Sequence, residues 1–152
     1  MSLKEKLQND LTDAMRSRDE IRSSTIRMIL TSIKNEEVAG KEARELNDAE
    51  IFTVLSREAK KRREAAEAFD QAGAKDRADK ERAEGVVIGE YLPKQLTENE
   101  IKSLIAAAMA ETGASTPAQM GLVMKSLQPK IAGKADGGLV SSLVKAALAG
   151  GN

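Results

Sequence analysis

Apolar residues at positions 3, 7, 11 and 15 recur at the spacing of one helical face. They stand behind Ser2 and Glu5, the S-x-x-E pattern in which a serine and a glutamate cap each other's backbone amides, so the chain is predicted to open on a capped amphipathic helix. A second helix is predicted from about Asp19 to Val38, with Ile21, Met28, Ile29 and Ile33 on one side, Ile26 and Leu30 widening that face, and Gly40 ending it. Asn47 with Glu50 repeats the cap and opens a long segment whose apolar positions are Ile51, Val54, Leu55, Ala59, Ala65 and Phe69, closed by Gly73. Residues 74–84 are mostly charge and alanine, a helix-forming composition, and lead into Val86, Val87 and Ile88. With no second strand signal to pair with it, that triplet reads as the buried end of a fourth helix.

Pro93 removes an amide donor and pushes Leu92 out of helical geometry, which places a domain boundary beside it. Beyond it the helix starts are explicit: Thr97 with Glu100 forms a capping box, Thr116 precedes Pro117 and Gln119, and Asp136 precedes Leu139, Leu143, Val144 and Leu148. Three short helices are expected, near 97–112, 117–127 and 137–149. The fold class read from the pattern is all-α, an N-terminal four-helix unit over residues 1–93 followed by a small C-terminal three-helix unit over 94–152.

Composition narrows the chemistry. The 152 residues contain no cysteine and no histidine, so a His-assisted nucleophile, an imidazole acid or base, a thiolate and a Cys/His metal site are all excluded. No metal and no cofactor is expected. Charges at Lys4, Glu5, Lys6, Asp10 and Asp13 exclude an apolar signal segment, and eighteen apolar residues never run together. The expectation is a soluble, cytoplasmic protein without a membrane partner. Aromatic residues are limited to Phe52, Phe69 and Tyr91, so the second unit must pack on aliphatic side chains alone.

Net charge is zero overall, but residues 121–148 gather Lys125, Lys130, Lys134 and Lys145 around one acid, Asp136, with glycines at 121, 133, 137 and 138. Such an element suits a phosphate backbone. It is no Walker loop, because Ala135 follows Lys134 where a metal-binding hydroxyl is needed and no glycine lies five residues before Gly133. Without aromatic residues to stack bases, an RNA partner would be read by shape, through phosphates and sugars. Arg57, Lys60 and Lys61 form a secondary basic face, whose plainer reading is a solvated helix surface with ordinary (i, i+4) pairs such as Glu58 with Arg62. The carboxylate pairs Glu36 with Glu37 and Glu81 with Glu84 stand beside lysines and arginines, which argues against catalysis.

Four segments, TIRMILTSIKNEEV (25–38), AFDQAGAKDRADKERAE (68–84), YLPKQLTENEI (91–101) and MGLVMKSLQPKIAGKADGGLVSSLVKAAL (120–148), together resemble the GatB/YqeY family, in particular the free-standing YqeY-like proteins of bacteria. In that family the equivalent region also forms the tail of the B subunit of the tRNA-dependent amidotransferase, a glutamine-dependent carbon-nitrogen ligase, where it helps hold the tRNA body. The resemblance implies an all-helical protein that binds tRNA, or aminoacyl-tRNA or amidotransferase machinery, through its C-terminal unit, and implies no active site of its own. The residues matching the tail's lysine and glycine pattern are Lys125, Gly133, Lys134, Asp136 and Gly137, with Lys130 and Lys145 beside them. Ala74 and Gly85 depart from the family pattern. The alternative is a protein-interaction adaptor docking through apolar faces around Ile51, Val54, Phe69, Val86 and Tyr91, and a third reading, an amide-transferring enzyme, conflicts with the missing Cys, His and nucleotide loop.

Overall fold

The computed structural model describes residues 1–150, and among them every regular element is helical. The chain separates into two compact units, Met1–Leu92 and Pro93–Asn152.

The first unit contains α1 (Leu3–Arg16), α2 (Glu20–Glu37), α3 (Asp48–Gln71) and α4 (Lys75–Gly89). Ser2 and Asn47 each accept from the backbone N–H three residues on, while Glu5 and Glu50 return the bond, so two helix starts satisfy their orphan donors locally. The helices close over Leu7, Ile26, Ile29, Ile33, Ile51, Leu55 and Ile88, which are fully buried. Each such side chain contributes roughly 1.5–3 kcal/mol relative to exposure. Between α2 and α3 the chain is tied down by Glu37, whose carboxylate accepts from Lys4 Nζ of α1 at 2.9 and 3.0 Å and from the Leu46 backbone N–H at 3.1 Å. These bonds, led by the one from Lys4, hold the Glu37 carboxyl below its ordinary range.

The second unit contains α5 (Glu98–Thr112), a 3-10 turn (Pro117–Gln119), α6 (Met120–Ile131) and α7 (Gly137–Leu148). Each helix gives the core one short stripe at three- and four-residue spacing: Ile101, Ile105 and Ala108; Val123, Leu127 and Ile131; Val140, Val144 and Leu148. Gly113 ends α5 in the left-handed conformation at φ 73°, which a side chain would resist. The core is wholly aliphatic.

Several positions differ from the sequence pattern. Met15 and Ile21 lie outside the core, 53% and 44% exposed, while Ala14 and Ser23 beside them are buried, so at these helix ends the inward face is one or two residues away from the apolar stripe. Val86 is 65% exposed whereas Val87 and Ile88 are buried, since a helix turns its third consecutive residue far from the first. On α3 Ala59 is buried as expected, but in the next turns it is Ala66 that is buried, with Ala65 at the edge. The helix α2, by contrast, keeps the expected span, with Asp19 and Val38 as its caps, and the Glu37 side chain at its end is drawn into the loop contacts described above. The α4 helix continues through Gly85 without a break. Finally, α6 begins as a 3-10 turn and runs on through Pro129 to Ile131, past the expected end at 127; both Lys125, whose carbonyl loses its helical donor there, and Pro129 are exposed.

Candidate functional site

Lys125, Lys130, Lys134 and Lys145 all reach the surface of the second unit, but the fold does not gather them at one point. Gly133, Lys134, Asp136 and Gly137 are contiguous around the α6–α7 turn. Lys125 lies in the body of α6 and Lys130 in its last turn, and five residues at 100° each set them on different sides of that helix. Lys145 lies in the last turn of α7, at the opposite end from Lys134. The basic residues are therefore dispersed over α6, the turn and α7.

Within the turn, Gly133 is buried at φ 72°, and the Lys134 N–H donates to the Ile131 carbonyl at 2.8 Å. Asp136 caps α7, accepting from the Leu139 N–H at 3.3 Å, so its charge complements the positive end of the helix. Lys130 Nζ lies 3.8 Å from Glu111 of α5, an exposed and weak pair. Among the described residues no carboxylate stands within ion-pair distance of Lys125, Lys134 or Lys145. An incoming phosphate would meet these three ammonium groups without displacing an internal partner.

The secondary basic face is built differently. Arg57 donates to Glu36 of α2 at 2.6 Å, and Lys61 to Glu58 at 3.4 Å; Lys60 is half-buried. Beside them Arg62 faces three glutamates, with Glu84 at 3.2 Å, Glu81 at 3.4 Å and the buried Glu58 at 3.5 Å. These contacts clamp α3 to α4, and Ser32 Oγ donates to Glu58 from α2 at 3.2 Å. The pairs Glu36/Glu37 and Glu81/Glu84 are thereby occupied by cations, and among the described residues no group of three acidic side chains is arranged to hold a metal.

Of the apolar side chains expected on an adaptor face, Val86 is exposed and the others are wholly or partly buried. Ile51, Val54 and Tyr91 belong to the core of the first unit, and Phe69 is half-buried with the Arg77 guanidinium 5.9 Å from its ring centre. Tyr91 instead donates its hydroxyl to Asp10 at 2.5 Å, with Lys6 Nζ both 2.9 Å from that carboxylate and 5.2 Å from the ring. Burial, then the bond to Asp10, pushes the Tyr91 hydroxyl well above the usual phenol range. The polar hollow beside it, about 450 Å³, also holds Arg22 paired to Glu90 at 2.7 and 3.1 Å, so its charges answer one another.

Two features of the second unit carry no sequence signal of the kind used above. One is a groove of about 480 Å³ between α5 and α7, floored by Ile105, Met109, Leu143 and Ala147 with Lys102 at its edge. The other is Gln95, whose side chain reaches the Gly133 carbonyl at 2.7 Å.

The profile of the family described as Yqey-like protein matches residues 4–148. Among curated proteins, the chain is similar to altered inheritance of mitochondria protein 41, mitochondrial, of Lachancea thermotolerans, 28% identical over 147 residues that cover 93% of this chain and 76% of the relative. The protein of the same name from Clavispora lusitaniae is 30% identical over 129 residues, covering 83% of this chain and 74% of the relative. That from Candida glabrata is 26% identical over 125 residues, covering 82% and 68%. These names correct the expectation of a bacterial, cytoplasmic protein: the relatives are fungal and are named as mitochondrial. The charged N-terminus excluded only an apolar secretory signal, which is no argument for the cytoplasm. None of the three names refers to tRNA or to an amidotransferase.

Proposed function

The chain belongs to the YqeY-like protein family, and on that premise we propose that it is a binding protein whose C-terminal unit holds folded RNA of the tRNA class. The observation that carries this reading is the exposure of Lys125, Lys134 and Lys145 without internal carboxylate partners among the described residues, on a unit that has no aromatic residue. Lysine ammonium groups act as point charges on phosphates, and a surface with no stacking platform reads shape in preference to base identity. The resemblance to the amidotransferase B-subunit tail selects tRNA among folded RNAs. The four-plus-three arrangement of helices serves the same reading, with the larger unit as scaffold and the smaller as contact surface.

The test is a titration of unmodified tRNA against the purified chain across a salt series. Affinity is expected to fall steeply from about 50 to about 200 mM salt, and each of Lys125→Ala, Lys134→Ala and Lys145→Ala to reduce the slope of log K against log salt by about 1. Absence of binding at the lowest salt would overturn the reading.

A further inference from the structure

The turn that carries Lys134 is pinned from outside by two consecutive residues. Gln95 spends its side-chain amide on two backbone carbonyls, donating from Nε2 to Pro93 O at 2.8 Å and to Gly133 O at 2.7 Å. Leu96 then donates its backbone N–H to Lys134 O at 2.8 Å. The carbonyls of residues 133 and 134 are thus fixed by residues 95 and 96, while the Lys134 N–H is engaged by Ile131 O and the chain beyond is fixed by the Asp136 cap. The backbone on both sides of the Lys134 Cα is therefore held, although its side chain is exposed. The glutamine amide supplies two N–H donors here without adding charge; glutamate offers none and asparagine is shorter by a methylene.

We propose that Gln95 is a positioning residue for Lys134: together with the Leu96 N–H it latches the Gly133–Lys134 turn into one conformation, so that the lysine meets a phosphate from a fixed Cα. This rests on the RNA-binding reading above. A latched turn has less freedom to lose on binding, so the latch raises affinity without touching RNA.

The test uses Gln95→Met, which keeps length and neutrality and removes both donors. In the chain alone, hydrogen exchange of the Leu96 amide is expected to accelerate about tenfold. In tRNA titrations the variant should lose affinity by about three- to tenfold, its salt slope should fall towards that of Lys134→Ala, and the double variant should bind no more weakly than Lys134→Ala alone. Unchanged Leu96 exchange overturns the latch whatever RNA does. Faster exchange with losses that add in the double variant assigns Gln95 a stability role only and overturns the positioning. A wild-type chain that binds no tRNA overturns the RNA reading and the binding role with it, while the exchange result still distinguishes a latched turn from a free one.

Discussion

The two units use their cations in opposite ways. The first carries every arginine of the chain and its densest run of positive charge, yet Arg57, Lys61 and Arg62 are engaged by Glu36, Glu58, Glu81 and Glu84. The second has only Lys94, Lys102, Lys125, Lys130, Lys134 and Lys145 against Glu98, Glu100, Glu111 and Asp136, and among the described residues its lysines pair at Lys102–Glu98, 3.5 Å, and Lys130–Glu111, 3.8 Å, both exposed. Density of charge along a sequence is thus a poor guide to which charges face a partner. Arginine's planar fork suits a permanent clamp among carboxylates, whereas an isolated lysine on a flexible stem suits a surface that gains its partners only on binding.

The contrast fails if charge in the first unit matters for RNA more than for the fold. The largest effect is expected for Arg62→Ala, which parts Glu81 and Glu84 of α4 from their cation and leaves the buried Glu58 with only Lys61 and Ser32; stability should fall by about 2–3 kcal/mol in urea unfolding, with tRNA affinity unchanged. A fall in affinity with stability intact would reverse the assignment. Glu37→Gln comes next, with a loss of about 1–2 kcal/mol at neutral pH from the weakened contacts to Lys4 and Leu46. Because the folded-state carboxyl titrates below its ordinary value of 4.5, it adds stability that is complete above that pH and is lost as pH falls through the lower folded value. The variant's stability should therefore decline less than wild type's on acidification, and parallel curves would refute the role given to Glu37. Tyr91→Phe, which removes the hydroxyl bond to Asp10, should cost about 1 kcal/mol. Smallest of all, Lys125→Ala, Lys134→Ala and Lys145→Ala should each leave unfolding within about 0.5 kcal/mol of wild type. A larger loss at any of them would mean that the second unit also spends its lysines on the fold.

Helix starts were readable residue by residue, because a capping box is a local exchange of two bonds: Ser2 with Glu5, Asn47 with Glu50 and Thr97 with Glu100 all make it. Core stripes were readable where a helix is covered along its length, as at Ile26, Ile29 and Ile33. Periodicity names a face only to within about a residue, which is why Met15, Ile21 and Val86 were assigned to the interior and lie outside it while Ala14, Ser23 and Val87 are buried. For the candidate surface, the lysines and glycines of 121–148 stood out by composition. The neutralisation of the Arg57–Arg62 run did not, since Glu36, Glu81 and Glu84 arrive from other helices. Gln95 was silent for the same reason: its bond to Gly133 spans 38 positions, and a single neutral amide carries no pattern.

The central claim is that the second unit's lysines, and not the first unit's denser basic run, meet RNA. The direct measurement is tRNA affinity across a salt series for wild type, for the combined Lys125→Ala, Lys134→Ala and Lys145→Ala variant, and for the combined Arg57→Ala, Lys60→Ala and Lys61→Ala variant. The lysine variant should lose nearly all salt-dependent affinity, with a slope reduced by about 3, while the other retains the wild-type slope. Equal losses in both variants, or a loss confined to the Arg57, Lys60 and Lys61 variant, would contradict it.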